Sequence, residues 1–194
     1  MKIILASQSP RRASLLKLVN IDCEIFPSNY DEAKTPGLTV EEQSKEWAYQ
    51  KAKSVFESMQ EDRAVIGADT IVVKDGVIYG KPKDRDEAIS MIENIQNDVH
   101  QVYTSIAVLI EDRGKVKEFK DIVRTDIYVN KMTKKEIEEY IDYDLPFDKA
   151  GAYAIQGFFS KYISRIDGNY SSVVGLPVDR IYTILKENDV FDEI

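Results

Sequence analysis

An apolar segment over residues 64–73 limits the fold of this chain more strongly than any other stretch. Its sequence, Ala-Val-Ile-Gly-Ala-Asp-Thr-Ile-Val-Val, predicts a β-strand that carries one carboxylate, Asp69. A carboxylate in an apolar strand costs free energy unless it is paired or bound to a metal. Asp69 is therefore a candidate metal ligand or general base. The alternative is a structural aspartate that bonds to a neighbouring turn.

Helical and strand segments alternate along the rest of the chain. Residues 2–6 predict a short buried strand. The helix that follows has Ser9 as its expected N-cap, Pro10 at its first position and Asn20 at its end. The other predicted elements are helices over 40–59 and 134–143, each opened by a Thr-x-x-Glu capping box, a hairpin turn at Asp75-Gly76, a helix over 85–97, strands at 99–111, 115–130 and 160–166, and a helix over 178–188.

This order of elements predicts an α/β or mixed α+β class, with a mixed sheet and flanking helices. The 194 residues suit a single domain over 1–194, built of two lobes that share a core. The hydrophobic fraction of 43% argues against disorder. No apolar run exceeds five residues, whereas a membrane helix needs about 20, so no membrane partner is expected. The short apolar opening and the single cysteine, Cys23, favour the cytoplasm.

The charge distribution argues against nucleic acid as a partner but allows a small anionic ligand in a local basic pocket. The formal net charge is −8, which argues against the broad basic surface that nucleic-acid binding needs. The first 20 residues nevertheless contain no acid. Their four cations are Lys2, Arg11, Arg12 and Lys17.

The segment Ser7-Gln8-Ser9-Pro10-Arg11-Arg12 is the candidate phosphate site. It follows a strand and opens a helix, where unpaired backbone N–H groups favour an anion. Two hydroxyl groups and two guanidinium groups add donors that suit phosphate oxygens. The alternative is a capped surface helix with two solvated arginines. The glycine spacing of a P-loop is absent.

Two lysines are candidate cations for such a ligand. Lys81 lies between Gly80 and Pro82, which restrain its backbone, although most loop lysines are simply solvated. Lys51 lies at the edge of the apolar stripe of the second predicted helix, and Lys45 lies near the same face. The pattern does not choose between these two, and a snorkelling lysine is the expected alternative for Lys51.

Two further segments complete the candidates. Residues 148–157 contain small residues and two glycines, which allow close approach to a ligand or to another strand. Gln156 in this segment can read a base edge or a ribose, and the alternative is a tight packing crossover. The acidic pair Asp31-Glu32 could help to hold a cation.

Together these segments resemble the Maf family of nucleoside triphosphate pyrophosphatases over nearly the whole chain. Residues 148–153 with Ile155-Gln156-Gly157 are similar to the branch that prefers dTTP and UTP, and Ala154 stands where a glycine is usual. The segments that carry the resemblance are 5–12, Asp31-Glu32, Lys51-Ala52, 67–70, 80–82, 100–104, 148–157 and 170–177.

The resemblance implies a two-lobed mixed α/β fold with a central cleft, shared with the inosine-triphosphate pyrophosphatases. It implies hydrolysis between the α and β phosphates, which releases nucleoside monophosphate and pyrophosphate, with Mg²⁺ or Mn²⁺ as cofactor. By the same resemblance Asp69 is the proton acceptor and, with Glu32, a metal ligand. The other implied site residues are Lys51 and Lys81 as catalytic cations, and Ser7, Ser9, Arg11, Arg12, Thr70 and Gln156 as substrate-binding residues.

Two other functions remain open at this point. One is a nucleotide-binding regulator of cell division and septum formation that has no useful catalysis. The other is an enzyme of the same fold that removes damaged or modified nucleotides. The acidic and basic set of Glu32, Asp69, Lys51 and Lys81 favours an enzyme. Phe158-Phe159 belongs either to the core or to a surface for a second copy, so a homodimer is also open.

Overall fold

The computed structural model describes residues 1–33, 35–60 and 62–191. These residues form seven β-strands, six α-helices and two short 3-10 helices, which confirms the mixed α/β class. In chain order the strands and α-helices are β1 (Lys2–Leu5), α1 (Pro10–Leu18), β2 (Glu24–Ile25), α2 (Val40–Phe56), β3 (Arg63–Lys74), β4 (Val77–Tyr79), α3 (Arg85–Ile95), β5 (Val99–Asp112), β6 (Lys115–Val129), α4 (Lys134–Asp144), β7 (Ile163–Asp167), α5 (Tyr170–Val174) and α6 (Val178–Glu187). Within the described residues, none of these helices has the length and apolar character needed to span a membrane.

The strands form one mixed sheet in the order β2-β1-β3-β5-β6-β7, and β4 pairs with β3 outside this path. Strand β1 runs parallel to both β2 and β3, with Lys2 beside Arg63 and Leu5 beside Ile66. Strand β4 is antiparallel to β3, and β7 is antiparallel to β6. The parallel pairing of β1 with β3 brings the residues that follow β1 to the same end of the strands as Asp69.

The chain divides into two compact units. The first consists of Met1–Asp69, Thr104–Val123 and Gly175–Ile194, and the second of Thr70–Tyr103 and Arg124–Val174. The three long strands β3, β5 and β6 each contribute residues to both units. A single domain of two lobes around a nucleotide cleft remains a prediction.

Helix α2 packs into the core of the first unit. Thr39 and Glu42 form the predicted capping box, in which the Thr39 hydroxyl accepts from the Glu42 N–H and the Glu42 carboxylate accepts from the Thr39 N–H. Ala52 and Val55 of α2 pack against apolar side chains of β1, β3 and β5. This burial fixes which face of α2 turns towards β3.

The second unit has its own aromatic core. Phe159 is buried against the rings of Tyr140, Tyr153 and Tyr162, so this half of the Phe158-Phe159 pair belongs to the core. Gly151 has a positive φ of 66°, and a Cβ there would lie 2.9 Å from a methyl carbon of Val72. In the 148–157 segment, Gly151 thus serves close packing against a strand, one of the two predicted alternatives.

Several predicted boundaries are wrong. The strand expected at 160–166 begins at Ile163, because Phe158–Tyr162 forms a 3-10 helix. The helix expected over 40–59 ends at Phe56. Ser9 occupies the N-cap position of α1, but its side chain makes no capping hydrogen bond. Strand β2 and helix α5 were not expected, because two and five residues are too few to show a period.

Candidate active site

Asp69 is a buried carboxylate that is held at both of its oxygens. It lies on β3 with 4% of its surface exposed. Lys51 Nζ donates to Oδ1 over 2.7 Å, and Ser44 Oγ donates to Oδ2 over 3.2 Å. Both donors belong to α2 rather than to a neighbouring turn. The strand therefore keeps its carboxylate because a facing helix supplies a cation and a hydroxyl group.

Lys51 bridges two carboxylates. Its ammonium group lies 2.7 Å from Asp69 Oδ1 and 2.6 Å from Glu32 Oε1. The lysine is 9% exposed, so the expected snorkelling side chain is wrong: the charge points inwards. Lys45, the other candidate on this helix, is only half-buried, and it interacts electrostatically with Glu42. These three groups alone sum to one net negative charge.

A glycine brings α2 close enough to β3 for these contacts. A Cβ on Gly67 would lie 2.3 Å from the Ala48 carbonyl oxygen and 2.6 Å from the Ala52 nitrogen. Only a residue without a side chain allows this backbone approach. Ser44, Ala48 and Lys51 recur at helical spacing on one face of α2, so the close contact at Ala48 delivers both donors to Asp69.

The loop that carries Glu32 is fastened to the same helix. Trp47 Nε1 donates to the Ala33 carbonyl over 3.0 Å, next to Glu32. The Thr35 N–H donates to Gln43 Oε1 over 2.6 Å. Trp47 and Gln43 are both buried. Although Glu32 itself is exposed, its backbone position is therefore set by α2.

The N-terminal segment is folded around Ser7. The Ser7 hydroxyl accepts from the Ser9 N–H over 3.2 Å and from Arg12 Nη1 over 3.1 Å. Arg12 Nε also donates to the Gly175 carbonyl over 2.9 Å. Burial lowers the pKa of Arg12, while the charges of Asp69 and Glu32 oppose that shift. The basic segment and the acidic group therefore share one electrostatic environment within the first unit.

Of the sequence-predicted site residues, the first unit holds Ser7, Ser9, Arg11, Arg12, Glu32, Lys51 and Asp69. Arg11 is half-buried beside Arg12 and contributes to the lowered pKa of that neighbour. The second unit holds Thr70, Lys81 and Gln156. Lys81 is exposed, and Gln156 donates from Nε2 to Tyr170 Oη over 3.1 Å. A common site for all these residues remains a prediction.

The arrangement of the carboxylates determines how the expected divalent cation could bind. Across residues 1–33, 35–60 and 62–191, no group of three or more His, Cys, Asp or Glu side chains is placed to hold a metal. Two carboxylates, Asp69 and Glu32, converge on one ammonium at 2.6–2.7 Å. Mg²⁺ bound to nucleotides usually takes one or two protein carboxylates and fills its other positions with phosphate oxygens and water. The pair thus fits a cation shared with a triphosphate, and does not form an all-protein cage.

Sequence reasoning missed two side chains that contact candidate residues. Ser44 precedes Lys51 by seven residues, two helical turns, and this spacing was the available signal. Tyr170 contacts Gln156 from 14 residues away, and no local pattern reveals that contact. The single histidine, His100, is fully buried against the Tyr153 hydroxyl at 2.7 Å and lies in the second unit.

Fold and site together define a mixed α/β protein. Helix α2 donates two hydrogen bonds to a buried carboxylate of the sheet, and this carboxylate interacts electrostatically with the basic N-terminal segment. The family model for Maf-like proteins matches residues 2–188. The chain therefore belongs to the Maf family, as the sequence resemblance predicts.

Curated relatives match over almost the full length. A dTTP/UTP pyrophosphatase of Thermoanaerobacter sp. (strain X514) is 44% identical over 192 residues, covering 96% of each chain. A dTTP/UTP pyrophosphatase of Caldicellulosiruptor bescii is 43% identical over 189 residues, covering 96% of this chain and 94% of that protein.

Among solved structures, a nucleoside-triphosphatase / dITP/XTP pyrophosphatase from Mycobacterium abscessus covers 98% of this chain and 96% of its own. Its sequence identity is 13% and its TM-score is 0.45. A fold shared with the inosine-triphosphate pyrophosphatases remains a prediction.

Proposed function

We propose that this chain hydrolyses dTTP and UTP to the nucleoside monophosphate and pyrophosphate. Its full-length relatives named dTTP/UTP pyrophosphatase, at 43–44% identity, support this substrate class. The observation that carries the proposal is the buried carboxylate of Asp69, which forms an ion pair with Lys51 and interacts with the basic segment through Arg12. A protein that only binds an anion has less need of a buried negative charge at its site.

In the proposed reaction a water molecule attacks the α-phosphorus. The bond from this phosphorus to the oxygen that bridges it to the β-phosphorus breaks, and pyrophosphate leaves with both electrons of that bond. Asp69 accepts the proton that the attacking water loses. General-base catalysis of this kind contributes about 10²–10⁴-fold to a rate.

The basic residues bind the triphosphate and stabilise its charge. Arg12 is fixed by Ser7 and the Gly175 carbonyl, so its guanidinium needs little reordering when an anion arrives. Arg11 and Ser9 lie in the same segment, and the family resemblance makes Lys81 a further cation for the phosphates. Positioning and charge stabilisation supply most of the catalysis in such a transfer.

A divalent cation, Mg²⁺ or Mn²⁺, is held in this proposal by Asp69 and Glu32 together with the phosphates. When bound, it supplies Lewis-acid polarisation of the phosphoryl oxygens. Lys51, which already contacts both carboxylates, keeps the pair from repelling each other before the cation arrives. Arg11, Thr70 and Gln156 select the nucleotide. A cytoplasmic location, a homodimer and the absence of nucleic-acid and membrane partners remain predictions.

The test compares wild-type protein with Asp69→Asn on dTTP and UTP, with products separated by anion-exchange chromatography. We expect wild type to release monophosphate and pyrophosphate. The variant should keep its circular dichroism spectrum and lose at least about 10²-fold in kcat. Near-wild-type turnover by Asp69→Asn would remove the carboxylate from its role. Nucleotide binding by calorimetry without product in the wild type would favour the regulatory function instead.

A further inference from the structure

A buried serine contacts the central carboxylate and has no part in the reaction described so far. Ser44 has no exposed surface, and its hydroxyl lies 3.2 Å from Asp69 Oδ2. The other oxygen, Oδ1, lies 2.7 Å from the Lys51 ammonium. The two oxygens of one carboxylate thus have different partners, a neutral donor and a charged donor.

Helix α2 holds the two donors, Ser44 and Lys51, at a fixed spacing on one face. Ser44 and Lys51 are seven residues apart on α2, so at 100° per residue their directions differ by only about 20°. Ala48 lies between them on the same face and is in backbone contact with Gly67 of β3. Neither donor can shift along the strand without the other, because the packing of Ala48 against Gly67 sets the register of both.

Two donors, one on each oxygen, fix the plane of a carboxylate. A single donor leaves the carboxylate free to rotate about the Cβ–Cγ bond. A carboxylate oxygen has two lone pairs, and Ser44 occupies one of those on Oδ2. The other lone pair of Oδ2 can take a proton. Oδ1 is the poorer acceptor, since it faces the ammonium of Lys51.

We propose that Ser44 is a positioning residue that orients Asp69 so that Oδ2 receives the proton of the attacking water. This inference rests on the proposed function, because it needs Asp69 to act as the base. The serine does not touch substrate. It sets the direction from which the water must approach.

The experiment compares Ser44→Ala and Ser44→Cys with wild type on dTTP. Cysteine keeps the shape of serine but has only a weak donor. We expect kcat to fall about tenfold in both variants, while KM stays within about twofold, because orientation of the base matters in the transition state and not in binding.

Ser58→Ala is the matched control. Ser58 follows the same helix, is exposed, and its hydroxyl donates to the Val55 carbonyl over 2.7 Å. It should keep the wild-type kcat and KM. Melting temperatures of all variants identify any loss that comes from unfolding.

Wild-type kcat in Ser44→Cys would overturn the proposal, even if Ser44→Ala proved unstable. A fall in melting temperature with an unchanged kcat would assign Ser44 to packing alone. If the wild-type protein released no pyrophosphate from dTTP, the proposed function itself would fail, which is a separate result.

Discussion

Replacing Gly67 by alanine should separate α2 from β3 and so damage stability and activity together. The added Cβ would lie 2.3 Å from the Ala48 carbonyl oxygen, 2.6 Å from the Ala52 nitrogen and 2.8 Å from the Ala52 Cβ. Ordinary contacts of a Cβ begin at about 3.4 Å, and the first two obstacles are backbone atoms. The helix must therefore retreat by about 1 Å.

That retreat sets the size of both effects. Overpacking of a well-filled core costs about 1–3 kcal/mol of the free energy of unfolding. The same 1 Å stretches the contacts from Ser44 and Lys51 to Asp69, which now measure 3.2 and 2.7 Å. A misplacement of about 1 Å in a catalytic group can lower a rate by about 10²-fold. We expect kcat on dTTP to fall by about that factor in protein that is still folded.

Urea unfolding followed by tryptophan fluorescence and steady-state kinetics measure the two quantities. The chain has one tryptophan, Trp47, and it lies on α2, so the signal reports on the helix in question. Gly80→Ala is the stability control, because a Cβ there meets no atom within 4 Å. A Gly67→Ala variant with wild-type urea midpoint and wild-type kcat would refute the close approach of helix to strand.

Three other substitutions test separate parts of the structure. Lys51→Met should lower kcat by at least about 10²-fold, since it leaves the Asp69 carboxylate without its cation; kinetics within threefold of wild type would contradict this. Arg63→Met should lower the free energy of unfolding by about 1–3 kcal/mol in urea titrations, because it removes a buried guanidinium that pairs with the half-buried Glu111 and donates to the Phe56 and Met59 carbonyls; a loss below about 0.5 kcal/mol would be inconsistent with those contacts. Burial lowers the pKa of His100 from 6.5 to about 4, so the unfolded chain binds a proton at a higher pH than the folded protein does. The free energy of unfolding therefore falls as pH drops from 6.5 towards 4, by at most about 1.4 kcal/mol per pH unit. Urea titrations at pH 7, 6 and 5 give the free energy of unfolding at each pH. This free energy should fall less steeply with decreasing pH in His100→Gln than in wild type, and an equal pH dependence would exclude the histidine as the cause.

The sequence predicts the elements that carry their own local signals. The capping boxes at Thr39 and Thr133 place the starts of α2 and α4 because their bonds lie within one helical turn. The Asp75-Gly76 turn follows from the positive φ that both residues adopt. The Maf family and the candidate residues of the first unit could also be predicted from the sequence, because short motifs contain them.

Features that depend on tertiary contact could not be predicted in the same way. Choosing Lys51 over Lys45 requires the face of α2 that packs on β3, and Gly67 sets that face only once the strand and helix meet. Ser44 has an ordinary helical position, and its hydrogen bond to Asp69 crosses 25 residues of sequence. The sequence shows a buried polar pair of this kind only as a helical spacing, here the seven residues between Ser44 and Lys51.

Product analysis on the wild-type protein tests the central claim most directly. Purified protein is incubated with dTTP, UTP, CTP or a methylated GTP in the presence of Mg²⁺ or Mn²⁺, and monophosphate, diphosphate, pyrophosphate and orthophosphate are separated and quantified. The account predicts monophosphate and pyrophosphate in equal amounts, with dTTP and UTP as the preferred substrates. Diphosphate with orthophosphate, or bound nucleotide without any product, would contradict it.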